Sequence, residues 1–169
     1  MEYSWKKAKG EYIVFINSDM AFSPRWLEIL QETITDNMCL CSRLVERGIM
    51  RSGTYGIEQN FGNVPDDYNE EHFLQFSENI KENILHPSGL YMPMLIKKEY
   101  MEKINYYPEG NINPQSDIFN PIYSKIGEPC ISGDTVLILK LKTIGVTHYT
   151  SFNSIVYHFQ EGEMRDTNR

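Results

Sequence analysis

A short apolar run from Tyr12 to Ile16 constrains the fold of this chain more than any other stretch. The run is β-branched and aromatic, and it ends in the polar turn Asn17-Ser18-Asp19. Such a run predicts a strand buried on both faces, which is typical of a parallel sheet. A helix is expected next, with Ser23 as its N-cap and Pro24 at its first position. Open α/β sheets bind ligands at such turns, although aspartate is also an ordinary turn residue.

The spacing of apolar residues predicts helices and strands along the rest of the chain. Strands are expected over 38–45, 90–96 and 146–159, and helices over 24–34, 69–85, 97–104 and 134–144. The glycine- and proline-containing stretches 46–68 and 105–132 predict long loops, and 160–169 predicts a loose tail. We therefore expect a single α/β domain over residues 1–169, with a mainly parallel, mixed sheet flanked by helices.

Composition excludes several classes of function. The net charge of −7 argues against binding to a nucleic acid backbone. No apolar stretch is long enough to span a bilayer and no signal peptide is visible, so we expect a cytoplasmic protein, with the cytoplasmic side of a membrane as a further option. An odd number of cysteines, Cys39, Cys41 and Cys130, favours reduced thiols. Cys39 and Cys41 share one face of a predicted strand, and we interpret them as buried thiols.

Several motifs together resemble those of family 2 glycosyltransferases, which have the GT-A fold. The stretch from Ala8 to Asp19 is similar to the central strand and Asp-x-Asp-type turn of that family. The motif Ser23-Pro24-x-Trp26-Leu27 is similar to the start of the helix that follows this turn in the family. Gly89 to Ile104 resembles its acceptor-side strand and helix, and Asp134 to Gly145 keeps the spacing of its "ED-x-D-L-x-x-R-x-x-x-x-G" helix. Ile155 to His158 looks like its closing strand with a histidine. The resemblance runs over roughly residues 8 to 160.

The chain departs from the family pattern at four positions and at its beginning. Asn17 replaces the first acidic residue of the turn, Gly133 and Val136 stand where the family has acidic residues, and Lys140 replaces arginine. The family begins with further βα units that grip the nucleotide base and ribose. Those units are absent before Ala8, so we expect a domain truncated at its N-terminus.

The resemblance implies a metal-dependent glycosyltransferase. Such an enzyme moves a sugar from a nucleoside-diphosphate sugar to a hydroxyl of a saccharide or another acceptor, here with inversion. The implied cofactor is Mn²⁺ or Mg²⁺, with Asp19 and His158 as ligands, because hard cations prefer oxygen donors and stabilise the leaving diphosphate. Asn17, Ser18 and Asp19 would contact the diphosphate, and Asp134 would be the general base. His158 is alternatively a hydrogen-bonded strand residue, and Asp134 alternatively a helix-start acid.

The missing units also suggest a function of another class. A truncated, non-catalytic remnant would act as a binding or assembly module. The strand at 12–16 would then have an open edge, whose unpaired backbone groups invite self-association or a partner chain.

Overall fold

The computed structural model of the protein describes residues 7–48, 53–89, 91–105 and 133–160. Most of the predicted loop at 105–132, Cys130 within it, and the predicted tail beyond Gln160 lie outside these ranges. In the ranges described, no helix has the length and apolarity needed to cross a bilayer.

Helices lie between groups of strands along the described chain, which is the pattern of an α/β protein. The strands are β1 (Tyr12–Phe15), β2 (Met20–Phe22), β3 (Met38–Glu46), β4 (Ile57–Glu58), β5 (Leu85–Pro87), β6 (Met94–Lys97) and β7 (Thr147–His158). The helices are α1 (Trp26–Thr33), α2 (Glu70–Asn79), α3 (Lys98–Lys103) and α4 (Gly133–Thr143), and a 3₁₀ turn covers Pro65–Asp67.

The strands form one mixed sheet. Its order is β1-β6-β3-β7-β2, with β4 paired to β3 and β5 paired to β7. The longest pairing joins β3 and β7 in parallel, from Met38↔Thr147 to Glu46↔His158, with an irregularity after Ser42. Antiparallel pairings attach β6 to β3, and β2 and β5 to β7. A mixed sheet with helices confirms the predicted α/β class and is consistent with a GT-A-type fold.

The chain divides into two compact units. One unit comprises Met1–Ile13 and Lys97–Val146, and the other comprises Val14–Ile96 and Thr147–Arg169. In the first unit, the buried residues Met101, Leu137 and Leu141 come from α3 and α4. Its N-terminal segment is held by Lys98, whose backbone N–H donates to the Glu11 carbonyl at 2.8 Å.

The second unit contains the centre of the sheet and an aromatic cluster packed on it. Val45, Phe73, Ile155 and Tyr157 are all buried there, with Phe73 supplied by α2. Strand β3 is almost entirely buried and most of β7 is buried, and each has neighbouring strands on both sides.

The prediction that the strand after Glu11 is buried on both faces is wrong. Ile13 is the only buried residue of β1, and Ile16 beyond it is 55% exposed. The reason is its place at one end of the strand order, where the strand has β6 as its neighbour in the described sheet. The residues of β1 are therefore apolar without being fully buried.

The predicted start of the first long helix is also wrong. Helix α1 begins at Trp26, after Arg25 in the left-handed region with φ 61°. Ser23 does not cap it, since the N-cap position is Arg25 and no side chain in the described ranges caps the helix start. The Ser23 backbone N–H donates instead to the Ile155 carbonyl of β7 at 3.3 Å. Pairing with β7 continues past the end of β2, so sheet formation overrides the local capping signal.

Candidate functional site

The polar turn lies where the sequence predicts it. Asn17 and Ser18 are exposed between β1 and β2, and the side chain of Asp19 is 22% exposed. The Asp19 carbonyl accepts a hydrogen bond from the Phe159 backbone N–H at 3.0 Å. The turn is therefore fixed to the chain that leaves β7.

Three polar side chains meet at the ends of three strands. Asp19 follows β1, Glu46 is the last residue of β3, and His158 is the last residue of β7. Sheet register brings them together, because His158 is opposite Glu46 on one side and opposite Met20 on the other. The carboxyl ends of strands are where α/β sheets bind ligands, so this cluster is our candidate site.

His158 stands between two carboxylates. Its Nε2 is 3.2 Å from Asp19 Oδ2, and its Nδ1 is 3.2 Å from Glu46 Oε1. The Gln160 amide Nε2 donates to the same Glu46 oxygen at 3.3 Å. Glu46 is 3% exposed, so its carboxylate depends on these donors for the solvation that water would otherwise provide.

The two carboxylates raise the pKa of His158 above its ordinary value. Burial by itself lowers this pKa, but the hydrogen bond to the Glu46 carboxylate and the negative charges of Asp19 and Glu46 outweigh it. The arrangement therefore favours an imidazolium between two carboxylates when no cation is bound.

The donor set also fits a divalent cation. Asp19 Oδ2 and His158 Nε2 lie close enough to each other to be ligands of one cation. Glu46 lies next to the other ring nitrogen, Nδ1. Among the described residues, no group of three or more His, Cys, Asp or Glu side chains could enclose a metal ion. Mg²⁺-type sites nevertheless use as few as one or two carboxylates when substrate phosphates and water complete the shell, and Mn²⁺ is suited to the same oxygen ligands.

The predictions from sequence did not include Glu46 or Gln160. Glu46 is the acidic residue at the end of an apolar strand, as Asp19 is just after one, so the same sequence signal could have predicted Glu46 as a site residue. Gln160 carries no comparable signal, because its contact with Glu46 joins residues 114 positions apart.

Asp134 lies in the first turn of α4, as predicted. An acid at this position interacts favourably with the helix dipole whatever its further role. Val136, at one of the positions where the family has an acidic residue, is fully buried. Asp134 belongs to the first unit of the chain, whereas Asp19 and His158 belong to the second.

The cysteines of β3 are buried free thiols, as predicted. Burial raises the pKa of Cys39 to about 12, and Cys41 Sγ is 3.2 Å from Nε2 of the buried His148. A neutral Cys39 thiol is neither a good nucleophile nor a good metal ligand.

Comparison with known proteins identifies the family. No curated protein and no solved structure matches this chain. The family model described as "Glycosyl transferase family 2" matches residues 2–104, which is more than half of the 169 residues and includes the polar turn and Glu46. The chain therefore belongs to glycosyl transferase family 2.

Proposed function

We propose that this protein is a metal-dependent glycosyltransferase that moves a sugar, with inversion, from a nucleoside-diphosphate sugar to an acceptor hydroxyl. Membership of the family supports glycosyltransferase activity in general, with a nucleotide-sugar donor and an acceptor. The observation that carries the metal dependence is the 3.2 Å approach of Asp19 Oδ2 to His158 Nε2 at the end of the sheet. A cytoplasmic location stays a prediction.

The residues of the turn would hold the diphosphate end of the donor. Asp19 and His158 are the proposed ligands of Mn²⁺ or Mg²⁺. The bound cation would supply positive charge to the diphosphate that leaves as the glycosidic bond breaks. Asn17 and Ser18 are exposed beside Asp19, and their amide and hydroxyl groups are suited to donate hydrogen bonds to phosphate oxygens.

Asp134 is our proposed general base. The acceptor hydroxyl must lose a proton as its oxygen attacks the anomeric carbon, and a carboxylate within hydrogen-bond reach would accept it. The support for this assignment is the position of Asp134 in the first turn of α4, at the place where the family's helix carries an acidic residue.

Titration of the full chain with Mn²⁺ in the presence of UDP-, GDP- and TDP-sugars would test the proposal. One of these donors should bind with Mn²⁺. Loss of an outer-shell partner costs about 10- to 100-fold in metal affinity, so D19A, which removes a proposed direct ligand, should weaken binding by about 100-fold or more. The matched control is D66A, which removes the same charge from an exposed residue of the 3₁₀ turn. Binding by D19A that equals binding by D66A would refute the site.

A second candidate function is a non-catalytic binding or assembly module. The observation that favours it is the position of β1 at one end of the strand order, with Ile16 55% exposed beside it. An uncovered edge would pair with a second copy or with a partner chain. Sedimentation at several concentrations and donor-sugar hydrolysis separate the two functions, since a monomer that hydrolyses the donor excludes the module.

A further inference from the structure

The carboxylate of Glu46 is the most buried charged group of the cluster described above. Glu46 is 3% exposed and lies 112 residues before His158 in the chain. Its Oε1 lies 3.2 Å from His158 Nδ1 and accepts a hydrogen bond from Gln160 Nε2 at 3.3 Å. Moving a buried carboxylate away from such partners is costly, because the lost contacts are not replaced by bulk water.

Gly56 lies next to the Glu46 carboxylate and leaves room for it. A Cβ atom built on Gly56 would lie 2.9 Å from Glu46 Oε2, closer than real side chains approach. Glycine at this position therefore leaves room for the second carboxylate oxygen. The backbone of Glu46 is fixed as well, since its carbonyl accepts from the Gln59 N–H at 2.8 Å and its Cα is in register with His158.

The position of Glu46 determines which ring nitrogen of neutral His158 carries the proton, and so what Nε2 presents to Asp19. An imidazole that donates from Nδ1 keeps, in its neutral form, the lone pair on Nε2. Asp19 is the nearer carboxylate to Nε2, but its side chain is 22% exposed, so water competes for it. Glu46, at 4% side-chain exposure, has far less access to water and is the stronger fixed acceptor.

We propose that Glu46 is a positioning residue that keeps the proton of neutral His158 on Nδ1 and directs Nε2 toward Asp19 as a ligand for a divalent cation. The proposal rests on the function proposed above. Metal-binding histidines commonly donate their second nitrogen to such a carboxylate, and loss of that carboxylate weakens metal binding about 10- to 100-fold.

The test uses the full chain and two readouts. The first is the ring ¹⁵N spectrum of His158 without metal, at a pH above its titration, which distinguishes the two neutral tautomers. We expect the Nδ1–H form in the wild type and a shift toward Nε2–H in E46Q, which keeps the shape of the side chain and removes its charge. The second readout is Mn²⁺ affinity by calorimetry, which should fall about 10- to 100-fold in E46Q.

The matched control is E58Q, which removes one negative charge from the exposed residue of β4 that is in register with Glu46. Its Mn²⁺ affinity should stay within about twofold of the wild type, since rim charges contribute little. If the wild type binds Mn²⁺, equal affinities in E46Q and E58Q would overturn the proposal. An Nε2–H tautomer in the wild type would also overturn it, and this readout requires no variant to fold. A wild type that fails to bind Mn²⁺ but shows Nδ1–H would refute the proposed metal dependence and leave the positioning role of Glu46 supported.

Discussion

The hydroxyl of Tyr157 offers a sharp test of how the sheet holds the loop that follows β4. Tyr157 is fully buried in β7 next to His158. Its oxygen accepts from the Phe61 backbone N–H at 3.0 Å and donates to the Gly62 carbonyl at 2.7 Å. Burial raises the pKa of Tyr157, so the hydroxyl stays protonated and donates at neutral pH. Y157F removes this one oxygen and keeps the ring.

The expected cost follows from the two backbone groups that lose their partner. A buried donor or acceptor left without a hydrogen bond costs about 1–3 kcal/mol, and we expect a loss of this size in the free energy of unfolding. The ring contacts should survive, because Phe73 and Phe159 pack against the ring at centroid distances of 5.7 and 5.0 Å. With a urea dependence of about 2 kcal/mol per molar, the unfolding midpoint should fall by roughly 0.5–1.5 M.

Urea unfolding followed by circular dichroism would measure the effect. The control is Y149F, which deletes the same atom from a half-buried residue of the same strand and should change stability by less than about 0.5 kcal/mol. A midpoint for Y157F that coincides with that of Y149F would refute the reasoning, because it would mean that the loop finds other partners at no cost.

Three further predictions concern the cluster and the proposed base. In G56A, the new Cβ would lie only 2.9 Å from Glu46 Oε2, so the Glu46 carboxylate would have to move away. Mn²⁺ affinity measured by calorimetry should then fall about tenfold, and an unchanged affinity would show that Mn²⁺ binding does not depend on the position of this carboxylate. The raised pKa of His158 stabilises the metal-free fold below the unfolded value of about 6.5, and this stabilisation is lost as pH rises through the folded pKa. Urea midpoints from about pH 5.5 to about pH 9 should therefore decline more steeply in the wild type than in H158Q, with H72Q, at an exposed helix residue, as the control, and parallel profiles would contradict the linkage. D134N should lower the turnover of an active preparation about 10²- to 10⁴-fold while donor affinity measured by calorimetry stays the same, and equal losses in both would exclude a general base.

The sequence by itself determined the features that depend on local patterns. The buried strand β3, the helix α4 and the strand β7 lie within one or two residues of their predicted limits, because the spacing of apolar side chains reports which face of an element is covered. The polar turn at Asp19 and the buried thiols Cys39 and Cys41 follow from the same local signals. The order of the family motifs identified the chain as a glycosyltransferase of family 2, and the family comparison confirmed it.

Only the tertiary structure decided how distant strands align. The contact between Glu46 and His158 spans 112 residues, and it exists because β3 and β7 pair in parallel with these two residues in register. The same long-range pairing put β1 at one end of the strand order and drew Ser23 into the sheet instead of the helix cap. Local periodicity specifies which residues of a strand face the core, but the neighbour of each strand is chosen by packing and backbone hydrogen bonds across the whole sheet.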